Sequence, residues 1–272
     1  MRIVVLLKQV PETNAVKMDE ATGTMVREGV EAIVNPLDLY AIETALLLRE
    51  AQPEGSCEVV GISMGPPKAV KALREAVSMG LDSAVLISDK AFAGSDTWAT
   101  SYVLAAAIRK LGGAELILCG ERATDGDTGQ VGPGVASFLN LPVATYVGKL
   151  ELIDTNNAKI CRVHRLIEDG HEVLDMDLPG VATVVKEIAD PRLPTLRGKQ
   201  RAKKIDVPTW GVADLDVQPE KLGLNGSPTR VVKIFKPKVA RECEKLHAVD
   251  EETIEQAATR VVEYLKEKEL LS

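Results

Sequence analysis

Short apolar runs alternate with amphipathic segments through the first half of the chain, and this alternation restricts the possible folds more than any other feature. Four runs predict strands, at residues 3–7, 58–64, 84–88 and 116–119. Each run is apolar along most of its length instead of at every second residue. That pattern is typical of parallel strands that are buried on both faces of a sheet.

The segments between these runs predict helices. Residues 38–50, 66–79 and 97–111 carry apolar side chains at helical spacing. Proline in the first turn of the second segment costs no hydrogen bond, and Gly80 provides a helix end. Strands that alternate with helices indicate an α/β fold with a doubly wound, mostly parallel sheet.

The second half of the chain has a different character. Residues 143–153 and 159–166 are β-like runs on either side of a turn cluster at residues 154–157, which predicts a β-hairpin. From Ala189 the chain becomes basic and contains prolines, and a charged amphipathic helix is predicted near residues 251–271. We therefore divide the chain into an α/β domain over residues 1–188, a basic segment over 189–210 and an extended C-terminal arm over 211–272.

Charge and hydropathy argue against two classes of protein. Lys and Arg number 33 against 40 Asp and Glu, so the formal net charge is −7, which argues against a nucleic-acid binder. The longest apolar runs are far too short to cross a bilayer, and the N-terminus lacks the apolar core of a secretory signal. We expect a cytoplasmic protein without a transmembrane segment.

The sequence offers little side-chain chemistry. The cysteines Cys57, Cys119, Cys161 and Cys243 form no CxxC pair, and no GxSxG motif marks a nucleophilic serine. We therefore predict neither a metal site nor a catalytic residue. Cys119 lies in an apolar run and is predicted to be a small buried hydrophobic residue.

The predicted ligand site lies at the carboxyl ends of the parallel strands, near a topological switch point. Two segments that follow strands there are rich in glycine and hydroxyl groups, at residues 94–101 and 120–132. Helix N-termini with adjacent hydroxyls bind anions, so Thr97, Thr100 and Ser101 are candidate phosphate ligands.

Two ordinary interpretations stay open for these segments. Ser95 or Asp96 can be a plain N-cap, and residues 126–129 can be a plain turn. Neither GxGxxG nor GxxxxGK[ST] occurs, and the carboxylate spacing of an EF-hand is missing. The two segments together favour a nucleotide with at least one phosphate.

Four blocks of sequence resemble the beta subunit of electron-transferring flavoproteins. They are Val-Leu-Leu-Lys-Gln-Val-Pro at residues 5–11, Gly-Val-Glu-Ala-Ile-Val-Asn-Pro-Leu-Asp at 29–38, Val-His-Arg-Leu-Ile-Glu-Asp-Gly at 163–170, and Asp-Pro-Arg-Leu-Pro-Thr-Leu-Arg-Gly at 190–198. The resemblance runs through nearly the whole chain.

This resemblance implies an adenine-nucleotide-binding α/β domain that pairs with a flavin-carrying alpha subunit. The candidate cofactor site combines two sets of residues. The first matches the family's nucleotide-binding positions, and the second comes from the segments that follow strands at residues 94–101 and 120–132. They are Leu6, Asn35, Pro36, Leu37, Asp38, Met64, Thr97, Thr100, Ser101, Gly120, Ala123, Asp125, Gly126, Asp127, Thr128, Gly129, Gln130 and Val131.

Two of these loops resemble those of the electron-bifurcating subgroup, at residues 96–101 and 125–132. The subgroup implies a second FAD in this subunit with NADH as its electron donor, and ferredoxin or flavodoxin as the low-potential acceptor. The alternative is the ordinary subgroup, in which the same site holds a structural AMP. A stand-alone adenine-nucleotide sensor is a third hypothesis, but it would need neither the polar tail nor the basic proline-containing segment.

The basic segment over residues 189–210 resembles the recognition loop that docks on a partner flavin dehydrogenase, such as an acyl-CoA dehydrogenase. Leu196 matches the anchoring leucine of that loop, and Arg197, Lys203 and Lys204 are the basic residues of the predicted docking surface.

Overall fold

The computed structural model describes residues 1–12, 17–18, 25–26, 32–154, 159–232 and 245–271. The chain forms two compact units, Met1–Lys233 and Ile234–Ser272. Parts of three predicted features lie outside the described residues. They are residues 155–157 of the predicted turn at 154–157, Cys243, and residues 29–31 of the second sequence block.

The strands of the first unit belong to one large sheet and two small ribbons. In chain order they are β1 (Arg2–Leu6), β2 (Gln9–Pro11), β3 (Lys17–Met18), β4 (Met25–Val26), β5 (Ala32–Val34), β6 (Glu58–Met64), β7 (Ser83–Ile87), β8 (Leu116–Gly120), β9 (Val143–Asp154), β10 (Lys159–Ile167), β11 (Gly170–Asp177), β12 (Gly180–Val184) and β13 (Thr209–Trp210). The nine-stranded sheet has the order β11-β10-β9-β12-β8-β1-β6-β7-β13, and β2 pairs with β5 and β3 with β4.

The helices follow the strands along the chain. They are α1 (Pro36–Glu50), α2 (Val70–Met79), α3 (Thr97–Lys110), α4 (Val131–Leu139), α5 (Leu196–Lys204) and α6 (Glu251–Glu267). A 3₁₀ turn over Pro67–Ala69 leads into α2. Gly80 ends that helix with a φ of 142°, a conformation that L side chains rarely adopt.

The central strands are buried on both faces, which explains their continuous apolar sequence. In β1, Ile3 and Val5 belong to the core that contains α1 and α2 residues, whereas Val4 and Leu6 belong to the core that contains α3 and α4 residues. Successive side chains of a strand point to opposite faces, so each core takes every second residue. The prediction of a doubly wound, mostly parallel sheet is confirmed.

The sheet is parallel through its centre and antiparallel at one edge. β12, β8, β1, β6, β7 and β13 pair in parallel with their neighbours, and β12 also pairs in parallel with β9. β10 pairs antiparallel with both β9 and β11. The predicted hairpin is therefore β9–β10, and β11 extends it into a three-stranded meander.

Two helices lie where sequence analysis indicated loops. α4 contains Gly132, Pro133 and Gly134, and α5 contains Gly198 within a strongly basic stretch. Glycine and proline give α4 a weak helix propensity, whereas α5 consists of good helix formers apart from Gly198 and was interpreted as a loop from its resemblance to the family. Both helices are stabilised by packing, α4 against α3 and α5 against α2.

The second unit contains α6 near its C-terminal end. Asp250 caps this helix, since its Oδ1 accepts a hydrogen bond from the Thr253 amide at 2.9 Å. None of its residues is buried. Among the described residues, none of the helices combines the length and the apolar character that crossing a bilayer requires.

Candidate nucleotide site

The strand order reverses between β1 and β8. From β1 the chain moves to β6 and β7 on one side, then returns to β8 on the other side of β1. Ligands of open parallel sheets bind outside the carboxyl ends of the strands at such a point. The residues that follow β1 and β8 are therefore the first place to look for a site.

A buried carboxylate joins these two strand ends. Asp38, in the first turn of α1, accepts a hydrogen bond from the Lys8 amide at 2.7 Å and one from the Gly120 amide at 3.2 Å. Burial raises the pKa of Asp38 to about 7, although hydrogen bonds from Asn35, Lys8 and Gly120 act in the opposite direction. The side chain thus fixes the backbone on both sides of the switch point.

Asn35 holds the loop that follows β8. It is buried, its amide group donates to the Arg122 carbonyl at 2.9 Å, and its side-chain oxygen accepts from the Thr124 amide at 3.1 Å. The Asn35 backbone amide also donates to the Lys8 carbonyl at 2.8 Å. One side chain at the start of α1 therefore determines how residues 122–124 leave the sheet.

Gly120 permits this close approach. A Cβ at this position would lie 2.7 Å from the Asp38 Oδ1 atom and 2.7 Å from the Leu37 carbonyl carbon. A contact with backbone at that distance cannot be relieved by a side-chain rotation. The end of β8 and the start of α1 can pack in this way only with glycine at residue 120.

The loop over residues 123–131 begins as a tight turn. The Asp127 amide donates to the Ala123 carbonyl at 2.8 Å, and Asp127 and Gly129 have φ values of 53° and 62°, which Asp and Gly tolerate best. The acidic side chains are paired, Asp125 with the Lys8 ammonium at 2.7 Å and Asp127 with the Arg122 guanidinium at 3.0 Å.

α4 starts directly after this loop without a side-chain cap. Its N-cap residue is Gln130, whose side chain makes no capping hydrogen bond. The unpaired amides and the positive end of the helix dipole favour an anion there. Thr128 and Gln130, next to these amides, are exposed.

The N-terminus of α3 is different, because it already carries a carboxylate. Asp96 Oδ1 accepts from the Ala99 amide at 3.0 Å, and Asp96 Oδ2 accepts from the Thr229 amide and hydroxyl at 2.9 and 2.8 Å. Burial alone would raise the pKa of Asp96, but these hydrogen bonds outweigh burial and lower it. The N-cap interpretation of Asp96 is therefore the one that the structure bears out.

The three hydroxyl residues of α3 have different surroundings. The Thr97 hydroxyl donates to the Gln130 side-chain oxygen at 2.7 Å, which links the starts of α3 and α4. Ser101 is buried, and its hydroxyl donates to the Thr97 carbonyl at 2.7 Å and the Val131 carbonyl at 3.3 Å. Thr100 is half-buried. Ser101 thus holds α3 against α4, and Thr97 faces the loop of residues 123–131.

The remaining candidate residues also reach this edge. Leu6 is buried at the end of β1, Met64 is half-buried at the end of β6, Pro36 is exposed, and Leu37 is half-buried beside Gly120. Cys119 is buried as predicted, and burial raises the pKa of its thiol.

Sequence analysis missed several residues that organise the site. Lys8 lies two residues beyond the end of β1 and bonds to Asp38, Asn35 and Asp125, so its place after a strand was the available signal. Arg122 pairs with Asp127 within the loop. Thr229 and Ser227, which bond Asp96, are more than 130 residues away along the chain, and no local pattern points to them.

The predicted docking residues lie on or next to α5. Leu196 is 81% exposed, and Arg197, Lys203 and Lys204 are exposed. A cleft of about 680 Å³ lies beside the helix, lined in part by Arg197, Gly198 and the C-terminal ends of α1 and α2. This surface lies at the end of α1 that is remote from Asn35 and Asp38.

Comparison with known proteins gives consistent matches. Residues 22–215 match the model of the electron transfer flavoprotein domain. The chain is 45% identical over 271 residues to the caffeyl-CoA reductase-Etf complex subunit CarD of Acetobacterium woodii, covering 100% of both chains. It is 42% identical over 272 residues to the electron transfer flavoprotein subunit beta of Thermoanaerobacterium thermosaccharolyticum, again covering 100% of both. It is also 42% identical to the protein FixA of Azorhizobium caulinodans, over 89% of this chain and 86% of the relative.

Proposed function

The chain belongs to the electron transfer flavoprotein family as a beta subunit, and we propose that it holds a complete FAD at the β1/β8 edge of its sheet. The electron donor in this proposal is NADH. When bound, such a flavin accepts a hydride from NADH and passes the electrons singly, one to ferredoxin or flavodoxin and one to the FAD of the alpha subunit. The chain's own residues bind and orient the cofactor.

The observation that carries this proposal is the contact between two loops. The Thr97–Gln130 hydrogen bond joins the start of α3 to the uncapped start of α4. A mononucleotide needs one anion site, whereas FAD has two phosphates and a ring system. Polar groups from two neighbouring elements therefore lie along one edge, which favours the longer ligand.

The site's geometry fits a nucleotide. The amides at the start of α4 would hold a phosphate, and Thr128 and Gln130 offer exposed polar groups beside them. Asp38 and Asn35 keep Gly120, Arg122 and Thr124 in place. Lys8 and Arg122 place two cations at this edge, each paired with a loop carboxylate.

The proposed partners follow from the family and from the docking surface. The alpha subunit completes the heterodimer, and a flavin dehydrogenase docks at residues 189–210. The name of the Acetobacterium woodii relative, a caffeyl-CoA reductase complex subunit, supports a dehydrogenase that acts on acyl-CoA compounds. We place the complex in the cytoplasm, where NADH is available.

A second candidate is a non-bifurcating subunit that holds a structural AMP. In its favour, Asp96 and Ser101 already form hydrogen bonds with backbone groups of this chain, so these two side chains are not free to bind a ligand. Fewer free donors at α3 would suit a shorter ligand. In this case electrons would pass only through the alpha-subunit flavin.

The two candidates differ in nucleotide content. The purified heterodimer should release two FAD and no AMP, and NADH should bleach a flavin band. One FAD with one AMP per heterodimer would contradict the bifurcating function. Thr128→Val should lower the content of the second FAD, whereas Thr209→Val, an exposed threonine on β13, should leave it unchanged.

A further inference from the structure

Arg192 makes an ion-pair network that the proposed nucleotide site does not use. Its Nε and Nη2 atoms donate to the two carboxylate oxygens of Glu43, both at 2.8 Å. Its Nη1 and Nη2 atoms donate to those of Glu50 at 2.5 and 3.0 Å. The guanidinium thus bridges two carboxylates that lie two turns apart on one face of α1.

This network is more than a surface ion pair. The Glu43 side chain is only 5% exposed, and a buried carboxylate needs a paired cation or several donors. The Arg192 backbone amide also donates to Glu43 Oε2, at 3.1 Å. Glu43 therefore fixes the main chain at residue 192 as well as its side chain, and the hydrogen bond from Arg192 lowers the pKa of Glu50.

The chain is fixed again a few residues later. The Thr195 hydroxyl oxygen accepts from the Gly198 amide at 2.9 Å and caps α5. Arg74 of α2 donates to the Ala202 carbonyl at 2.9 Å, and Ala202 is buried. α5 is thereby attached to α2.

Two large apolar side chains lie between these attachments. Leu193 is 86% exposed and Leu196 is 81% exposed, and Pro191 and Pro194 restrict the backbone around them. Exposed aliphatic side chains on a restrained backbone are typical of residues that anchor a protein to its partner, because the backbone loses little conformational entropy on binding.

We infer that Arg192 is a positioning residue for docking: by holding residues 191–196 on α1, it presents Leu193 and Leu196 as one prearranged surface to the dehydrogenase. This inference rests on the proposed docking function of residues 189–210. It assigns Arg192 no contact with the cofactor or with the reacting atoms.

Arg192→Lys tests the inference, because lysine keeps the positive charge but cannot make a bidentate contact with each of the two carboxylates. We expect the KM of an acyl-CoA dehydrogenase of the source organism for the reduced heterodimer to rise about tenfold. The kcat and the flavin content should stay unchanged. Glu50→Gln removes only the exposed carboxylate and should raise KM less. Arg2→Lys is the control, because Arg2 pairs with a different glutamate, Glu58, and this variant should leave KM unchanged.

Adding Arg192→Lys to a variant that lacks both leucines separates positioning from general destabilisation. If Arg192 acts through the leucines, Arg192→Lys should add no further rise in KM in a Leu193→Ala/Leu196→Ala background. An additive rise, or an unchanged KM in Arg192→Lys alone, would overturn the inference. If instead the leucine variants have no effect on KM, the docking function of the segment itself is wrong, which distinguishes the two failures.

Discussion

The two regions that we propose to be functional both lie against α1, and this helix holds them by different means. Near its amino end, buried Asp38 is held by the backbone amides of Lys8 and Gly120. Farther along, buried Glu43 is held by the guanidinium of Arg192. The two carboxylates lie on one helix, but the first organises polar loops and the second supports exposed leucines.

This difference matches the kinds of ligand that we propose. A nucleotide needs backbone amides and hydroxyls in fixed positions, which Asp38 and Asn35 provide at the carboxyl edge of the sheet. A protein partner needs apolar side chains on a restrained backbone, which Arg192 provides at the other end of α1. Along the axis of α1 (Pro36–Glu50), Glu43 lies about 7.5 Å and Glu50 about 18 Å from Asp38, so Arg192 holds the middle and the carboxyl end of the helix.

The largest expected effect is that of Gly120→Ala at the amino end of α1. The new methyl group would overlap Asp38 and the Leu37 backbone, so we expect a loss of about 1–3 kcal/mol in the free energy of unfolding and a loss of bound nucleotide. Chemical denaturation and nucleotide release measure both. Gly126→Ala is the matched control for stability, since its Cβ would meet no atom within 4 Å, and equal free energies of unfolding for the two variants would contradict the packing argument.

A change in pH should affect Asp38 in a defined direction. Its pKa is about 7 in the folded chain against an ordinary value of 3.8, so the folded state binds more protons between these values. Raising the pH through that window should therefore destabilise the fold by up to about 1.4 kcal/mol per pH unit.

Asp38→Asn isolates this contribution, because asparagine does not titrate. The free energy of unfolding of the wild type should fall relative to that of the variant between about pH 4 and pH 7, and the difference should stay constant above pH 7. Denaturation curves at a series of pH values measure it. Parallel pH profiles for the two proteins would show that Asp38 is not the titrating group.

The smallest expected effect on stability is that of Leu196→Ala. The side chain is 81% exposed, so the free energy of unfolding should change by less than about 0.5 kcal/mol, and flavin content should not change. Electron delivery to the dehydrogenase should nevertheless weaken. Leu224→Ala, which is 53% exposed, serves as the control, and unaffected turnover in Leu196→Ala would refute the docking assignment.

Much of the fold could be predicted because burial on both faces leaves a direct mark on the sequence. The runs that became β1, β6, β7 and β8 are apolar along most of their length, and their positions agree with the structure to within one residue at each end. The rule that ligands bind at carboxyl strand ends led to residues 94–101 and 120–132 from the order of elements, whereas Asn35 and Asp38 were implied by the resemblance to the family.

The helices α4 and α5 could not be predicted in this way. A Cβ at Gly132 would lie 2.5 Å from the Thr183 side chain, and one at Gly134 would overlap Ser101 of α3. These glycines lower helix propensity, but they allow α4 to pack closely on its neighbours. Contacts between distant residues therefore outweighed the local preference.

The sequence alone determined the α/β class through its apolar periodicity and element order, and it indicated the family through its four sequence blocks, because both kinds of signal are local properties of the chain. Only the tertiary structure decided that Thr229 bonds the Asp96 carboxylate, that Asp38 joins β1 to β8, and that Arg192 bridges Glu43 and Glu50. Each of these depends on hydrogen bonds between groups that are far apart in the chain, and such bonds form only after the sheet and its helices have packed.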